Sequence, residues 1–214
     1  MSIVVVDYGA GNLASVVNAL ERVGARAAVT RDPVQIRRSS GVIVPGVGAA
    51  ADTMAHLHAL GLIPVLLEVI RAGRPYLGIC MGMQVLLTLS YEGGEHQCLG
   101  VVPGAVRRLP EGQAIPHMGW NAVHQMRRHP LFRNIPNGVD FYFVHSYYPD
   151  PADPAWSAGA TTYGVRFASV LAHRNVMGTQ FHPEKSGRWG LQLLANFVEL
   201  VQSSSPVESA EAPA

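Results

Sequence analysis

The segment RPYLGICMGMQVLL, residues 74–87, decides the fold class that we predict for this chain. Its apolar run predicts a buried strand over residues 76–79, and the pattern after it predicts a helix over residues 83–89. The strand ends at Cys80 and the helix follows at once. A buried strand that turns directly into a helix is typical of an α/β sheet whose strands run parallel.

Gly78 and Gly82 flank Cys80 at two residues on either side, where side chains would collide in a sharp strand-to-helix turn. Such a turn exposes the thiol, and the free N–H groups at a helix start favour the thiolate form. We therefore predict that Cys80 is a nucleophile, the alternative being a buried cysteine that packs as a small apolar side chain. Cys98 has no such flanking residues, and for it we expect the packing role.

Short apolar runs alternate with helical patterns along the first half of the chain. Strands are predicted at residues 3–7, 27–30 and 42–45, and helical segments at residues 13–23 and 54–70. The first strand lacks polar alternation, so we expect it to be buried on both faces in a central position. The pattern predicts an open, mostly parallel central sheet flanked by helices.

The second half of the chain has a different texture. Residues 93–169 are rich in glycine, proline and aromatic residues with short strand-like pieces, which we interpret as antiparallel additions to the same domain. A final helix is predicted over residues 187–202. We expect one domain over residues 1–202 and a disordered tail over residues 203–214, where no apolar pattern is left.

Composition and charge narrow the classes of function. The 214 residues carry a formal net charge of +1, which argues against a binder of nucleic acid or of anionic membranes. Only 14% of the residues are charged, against roughly 25% in an average soluble domain, so we expect part of the surface to be covered by a partner. We expect a cytoplasmic protein for three reasons. The chain has only two cysteines, its first residues show no leader pattern, and no apolar run is long enough to cross a membrane.

His182 is the predicted base for the thiol. Pro183 favours an extended conformation at His182, and residues two apart in an extended chain face the same way, so Glu184 can orient the imidazole. Nucleophile, base and orienting carboxylate are the groups that covalent acyl transfer requires. A surface or capping role is the alternative for this histidine. The histidines show no metal-ligand spacing, and we expect no metal and no organic cofactor.

The loop PGVG, residues 45–48, follows a predicted strand and so lies at the carboxyl edge of the sheet, where ligands bind in open α/β folds. Its backbone can turn the N–H of Val47 toward a developing oxyanion, with the N–H of Met81 as the second donor. A simple tight turn is the alternative for this loop.

These motifs resemble those of the class I, or triad, glutamine amidotransferase family. GICMGMQ corresponds to its nucleophile motif and TQFHPEKS to its His/Glu motif. The further segments DYGAGNLASV, HMGWN and YFVHSYY are similar to the glutaminase subunits of imidazole glycerol phosphate synthases. The resemblance covers residues 2–202.

The resemblance implies hydrolysis of L-glutamine through a thioester on Cys80, with His182 as acid and base and Glu184 orienting it. Substrate contacts are implied for Gly48, Gln84, Glu92, Ser146 and Tyr147. A partner interface is implied for Asn12, Trp120, Tyr142 and Lys185, the partner being a separate cyclase subunit with a (β/α)8 barrel. The ordinary alternatives are a solvated helix face for Gln84 and Glu92 and core packing for Trp120 and Tyr142.

Two other hypotheses keep the fold but change the function. A cysteine peptidase or deglycase-like hydrolase would use the same thiol and histidine on a different substrate. A flavodoxin-like binding module would have a structural cysteine and no activity.

Overall fold

In a computed structural model, the chain is described over residues 2–9 and 12–204. The predicted disordered tail lies outside the described residues from 205 onward. The helices are α1 (Leu13–Arg22), α2 (Pro33–Arg38), α3 (Ala50–Ala59), α4 (Leu62–Arg71), α5 (Met81–Gln84) and α6 (Gly187–Ser204). Helix α6 thus continues two residues beyond the expected boundary at 202.

Thirteen strands are present in the described residues. They are β1 (Ile3–Val6), β2 (Ala27–Thr30), β3 (Gly41–Val44), β4 (Tyr76–Ile79), β5 (Leu87–Ser90), β6 (His96–Gln97), β7 (Val102–Arg108), β8 (His117–Gln125), β9 (Val139–His145), β10 (Tyr147–Pro151), β11 (Ser157–Tyr163), β12 (Val165–His173) and β13 (Val176–Thr179). Short 3-10 turns include Pro183–Lys185, directly after His182.

Nine of these strands form one sheet in the order β2-β1-β3-β4-β13-β12-β11-β8-β9. The pairings from β2 to β13 are parallel, and those from β13 to β9 are antiparallel. This confirms the predicted α/β class, with an open parallel sheet and antiparallel additions. Strand β1 lies inside the sheet, between β2 and β3.

A second sheet has the order β10-β7-β5-β6 and corrects one prediction. The predicted helix over residues 83–89 is wrong, because α5 ends at Gln84 and β5 begins at Leu87. Strand β5 pairs with β6 and β7. An apolar run of this length suits a buried strand as well as a helix, and partners distant in sequence decide between them.

Strand β1 is buried on both faces, as its sequence predicted. Ile3 and Val5 pack in the core with α1 and α6, whereas Val4 and Val6 pack in the core on the other face, with α3 and α4. Burying a side chain of this kind stabilises the fold by about 1.5–3 kcal/mol. The parallel strands therefore pack between two helical layers.

Helix α2 was not predicted, although it has a start signal in the sequence. The side chain of Asp32 accepts a hydrogen bond from the Val34 N–H, and Pro33 occupies the first turn. No single helix among the described ones is long and apolar enough to cross a membrane; α3 and α4 reach that size only together and are bent by 94°.

Candidate active site

Cys80 lies at the carboxyl end of β4 in a strained conformation. Its φ of 53° and ψ of −107° are values that side-chain-bearing residues rarely adopt, so packing must hold them in place. The Cys80 N–H donates to the Thr179 carbonyl at 2.7 Å. A Cβ atom on Gly78 would overlap the Gly82 carbonyl, and one on Gly82 would overlap the Val44 carbonyl. The two glycines therefore allow the elbow to form.

His182 lies just beyond the end of the neighbouring strand β13 and is almost fully buried, with 1% of its surface exposed. Its Nδ1 donates to Oε1 of Glu184 at 2.8 Å, and the Glu184 side chain is fully buried. Nε2 of His182 has no completed hydrogen bond in the described part of the chain. This nitrogen is therefore free to exchange a proton with a substrate.

The pKa of His182 reflects opposing influences. Burial lowers it, but the neighbouring Cys80 and the bond to Glu184 outweigh burial and raise the pKa to about 10. The raised pKa favours the protonated imidazole beside Cys80. A positive charge beside the sulfur favours an ion pair between thiolate and imidazolium.

Asn12 completes the surroundings of Glu184. Its side-chain Nδ2 donates to the same carboxylate oxygen that His182 binds. Asn12 precedes helix α1 and has a positive φ of 77°, a region that asparagine tolerates better than most residues. The family resemblance implied a partner interface for Asn12; in the structure its side chain contacts the predicted triad.

One cavity of about 260 Å³ joins the predicted site residues. It is lined by Cys80 and His182, by Val47, Gly48 and Met81, and by Gln84, Glu92, Ser146 and Tyr147. This volume is close to the lower end of the roughly 300–1,000 Å³ typical of ligand pockets, which suits a small molecule. A larger cavity of about 880 Å³ lies at the amino end of β13, beside Trp156 and His173, away from these residues.

The two residues predicted to donate to the oxyanion, Val47 and Met81, line this cavity. The Met81 N–H is at the first position of α5, where a helix leaves its N–H groups without an internal partner. Val47 follows β3 and is 41% exposed, and Gly48 has a φ of 92° that favours glycine. Beneath them, a Cβ on Gly46 would collide with the Tyr8 hydroxyl.

Gln84 and Glu92 both line the pocket, and hydrogen bonds hold both side chains. Gln84 is 2% exposed; its Nε2 donates to the Tyr147 carbonyl at 2.8 Å, and its Oε1 has no partner among the described residues. Glu92 lies in the turn after β5, and its Oε2 accepts the Ala50 N–H at 2.9 Å. The alternative of a solvated helix face is wrong for both, because Gln84 is buried and Glu92 is not helical.

Of the remaining predicted interface residues, Tyr142 and Lys185 make hydrogen bonds with the His182 backbone, and Trp120 contacts Tyr142. Trp120 is 57% exposed and meets the ring of Tyr142 edge-on at 6.1 Å, so core packing is wrong for the tryptophan. The His182 N–H donates to the Tyr142 carbonyl at 2.9 Å. Lys185 is exposed, next to Glu184 in sequence. The surface around Trp120 thus connects directly to the backbone of the predicted base.

Gln180 was missed by the sequence analysis. It is fully buried, and its Nε2 lies 3.6 Å from the Cys80 sulfur. The only signal in the sequence was its place inside TQFHPEKS, two residues before His182. Within the described residues, no cluster of three or more His, Cys, Asp or Glu side chains could hold a metal ion.

The chain is similar to known proteins over nearly its whole length. A family model described as "Glutamine amidotransferase class-I" matches residues 4–201. "Imidazole glycerol phosphate synthase subunit HisH" of Chloroflexus aurantiacus is 54% identical over 208 residues, 95% of this chain and 98% of that protein. The protein of the same name from Dehalococcoides mccartyi is 51% identical over 92% of this chain and 97% of its own.

A solved structure described as "Crystal structure of glutamine amidotransferase" has a TM-score of 0.74 at 19% identity. The match covers 93% of this chain and 98% of the other. At this identity the likeness concerns the fold alone.

Proposed function

The chain belongs to the class I glutamine amidotransferase family, and from this premise we propose that it is the glutaminase subunit of an imidazole glycerol phosphate synthase. It hydrolyses L-glutamine to glutamate and ammonia for histidine biosynthesis. Relatives with 54% and 51% sequence identity, matched over nearly their whole length, support this assignment. The observation that carries the chemistry is the cavity in which the strained Cys80 meets His182, itself bonded to Glu184.

In the first step, the Cys80 thiolate attacks the side-chain amide carbon of glutamine. A carbon–sulfur bond forms while the carbonyl electrons move onto the oxygen, which the N–H groups of Val47 and Met81 stabilise. The carbon–nitrogen bond then breaks. The imidazolium of His182 gives its Nε2 proton to the leaving nitrogen, and ammonia departs.

The second step needs neutral His182, which is the state that the first step leaves once the Nε2 proton has gone to ammonia. The charge on Cys80 helps to raise the pKa of His182 in the resting site. Once the sulfur is part of a neutral thioester, that charge is gone and the imidazole holds a proton less strongly. Neutral His182 can then accept a proton from water as the water attacks the thioester, and the thiolate leaves.

Substrate recognition uses the walls of the same cavity. Oxygen Oε1 of Gln84 is a buried acceptor without a partner in the described chain, suited to an N–H of the substrate. Glu92 supplies a carboxylate for the substrate ammonium group. Gly48, Ser146 and Tyr147 contact the remaining atoms of glutamine, and Glu184 keeps the imidazole in one tautomer.

Ammonia made here requires an acceptor, which we assign to a separate cyclase subunit with a (β/α)8 barrel. In that heterodimer the cyclase makes imidazole glycerol phosphate and AICAR. The surface of Trp120, Tyr142 and Lys185 is the proposed contact, together with Asn12, because the Tyr142 carbonyl holds the backbone of His182. A cytoplasmic location belongs to this proposal as well.

The test of the activity is a glutaminase assay with matched substrates. The purified chain with its cyclase should release ammonia from L-glutamine and leave a peptide substrate intact. A diazo-ketone analogue of glutamine should attach to Cys80 and not to Cys98. Cleavage of the peptide would favour a cysteine peptidase, and absence of labelling would favour a binding module.

The test of the partnership compares three states of the wild-type protein: the isolated chain, the complex, and the complex with nucleotide ligand. We expect slow hydrolysis by the isolated chain and a rise by orders of magnitude in the third state, since only differential binding can shift the site toward its active arrangement. Equal rates in all three states would contradict a coupled subunit. Unchanged stimulation in Lys185→Ala would remove only Lys185 from the interface.

A further inference from the structure

Gln180 is a buried amide at the nucleophile that the proposed mechanism does not use. It follows β13, is 0% exposed, and is held by its own N–H, which donates to the Ser169 carbonyl at 2.9 Å. Its side-chain Nε2 lies 3.6 Å from the Cys80 sulfur, a distance at which an amide N–H donates to sulfur. A fully buried polar side chain is expensive unless its hydrogen bonds are made.

The orientation of this amide follows from its neighbours. The Tyr147 carbonyl can only accept hydrogen bonds, so the Gln84 atom 2.8 Å from it must be the nitrogen Nε2. The same nitrogen is 2.9 Å from the other amide, which must present its oxygen, Oε1 of Gln180. The remaining end of Gln180 is then the NH₂ group, and it faces Cys80.

His145 also holds the Tyr147 carbonyl, and His117 in turn binds His145. His145 Nδ1 lies 2.9 Å from this carbonyl and must donate to it. His145 Nε2 is therefore an acceptor, and the His117 Nδ1–H donates a hydrogen bond to it at 3.0 Å. Burial lowers the pKa of His117 to about 4 and that of His145 to about 3, so both rings are neutral as this chain of donors requires.

We propose that Gln180 is a further catalytic residue, whose side-chain N–H donates to the Cys80 sulfur and stabilises it as a thiolate. The hydrogen bond acts twice in each turnover, because the sulfur carries charge before it attacks and again when it leaves the thioester. Gln84 and the Tyr147 carbonyl keep the donor turned toward the sulfur. This inference rests on the proposed nucleophilic role of Cys80.

The experiment measures the reactivity of Cys80 directly, by alkylation with iodoacetamide as a function of pH. The full chain carries Cys98→Ala, so that only one thiol can react. Gln180→Met keeps the length of the side chain but removes the donor. We expect about a tenfold lower alkylation rate at pH 7 and a profile displaced by about one unit toward higher pH, the effect of losing one hydrogen bond to a charged group.

A second variant and a control make the result specific. Gln180→Glu keeps the shape but puts a carboxylate beside the sulfur, and should displace the profile at least as far in the same direction. Gln192→Met is the control, because Gln192 lies on α6 and its amide binds Asn196; its profile should match that of the parent. If Gln180→Met does not fold, Gln180→Glu decides in its place.

A folded Gln180→Met or Gln180→Glu protein with the parent's profile overturns the inference. Glutaminase activity of the parent with its cyclase, measured in parallel, separates this result from the proposed function. The Cys98→Ala protein could lack glutaminase activity while Gln180→Met still shifts the pH profile of Cys80 alkylation. That result would contradict the proposed substrate but support the hydrogen bond from Gln180. If the Cys98→Ala protein is active and both Gln180 variants keep its pH profile of alkylation, the proposed function stands and the proposed role of Gln180 is wrong.

Discussion

The two cysteines of the chain lie in contrasting surroundings. Cys98 is the more exposed of the two, but its neighbours give its sulfur little support: Sγ faces the His96 carbonyl at 3.8 Å, and burial raises its pKa to about 11. Cys80 is only 7% exposed, yet an amide donor and His182, whose pKa is raised, lie beside it. Polar neighbours, and not exposure, separate a reactive thiol from an inert one.

The local backbone strengthens this contrast. Cys80 is held at a positive φ between a strand and a helix, whereas the Cys98 N–H makes an ordinary bond to the Thr88 carbonyl at 3.0 Å. Strain of the first kind persists only where the surrounding packing imposes it, here the contacts of Gly78 and Gly82. Packing therefore holds the backbone of Cys80 in an unusual conformation, whereas Cys98 needs no such support.

Removing each thiol in turn gives the largest expected difference. In Cys80→Ala we expect glutaminase activity of the complex to fall by about 10⁴-fold or more, because no other group can form the thioester. Cys98→Ala should keep most of the activity. Both are measured as ammonia released from glutamine, with binding to the cyclase as the control for folding. Substantial activity in Cys80→Ala would remove the nucleophile assignment.

Removing the base tests whether His182 is what distinguishes the two thiols. We expect His182→Ala to lose about 10²–10⁴-fold in kcat, the range for general acid–base catalysis. His173→Ala, at the far end of the sheet, is the matched control and should stay near wild type. A His182→Ala enzyme that retains a tenth or more of the wild-type rate would show that another group moves the proton.

Alkylation of the wild-type chain compares the thiols in one sample. At pH 7 we expect iodoacetamide to modify Cys80 about 100-fold faster than Cys98, because a thiol reacts as its thiolate. Cys98 has a raised pKa of about 11, so its thiolate grows as the pH rises toward that value and the ratio should narrow. Peptide mass spectrometry gives both rates. A faster reaction at Cys98 at pH 7 would reverse the comparison.

The carboxylate gives the smallest expected effect. Glu184→Gln keeps His182 but weakens the hydrogen bond that orients it, and we expect a loss in kcat smaller than that of His182→Ala, with little change in KM. Asn12→Ala, which removes the other donor to the same oxygen, should lose no more than this. The ammonia assay at saturating glutamine measures both. A larger loss in Asn12→Ala than in His182→Ala would be inconsistent with an orienting role.

Much of the parallel half was predictable because its information is local. The four apolar residues of β1 and the helical spacing of α1 each indicate one structure in a short window. The run Leu87–Ser90 did not, because its pairing with β7 in a second sheet depends on residues farther along the chain. Helix α2 was missed despite the Asp32 cap, since six residues give too little periodicity to detect.

The candidate site divides in the same way. Cys80 and His182 stand in motifs with their own local signals, the flanking glycines and the neighbouring proline and glutamate. Gln180 has no such signal, because its contact with the sulfur joins residues 100 positions apart. The hydrogen bond from Asn12 to Glu184 joins residues 172 positions apart, and no local signal in the sequence indicated it either.

Because β13 lies between β4 and β12 in the sheet, the active site is completed late during synthesis of the chain. Thr179 ends this strand and Gln180 and His182 follow it, so the ribosome makes them about 100 residues after Cys80, roughly 5–20 s later at ordinary rates of synthesis. Until then β4 lacks one neighbour and the thiol has neither base nor amide donor. In the nascent chain Cys80 thus lacks the groups that activate it, and we expect no glutamine hydrolysis until the protein is nearly complete.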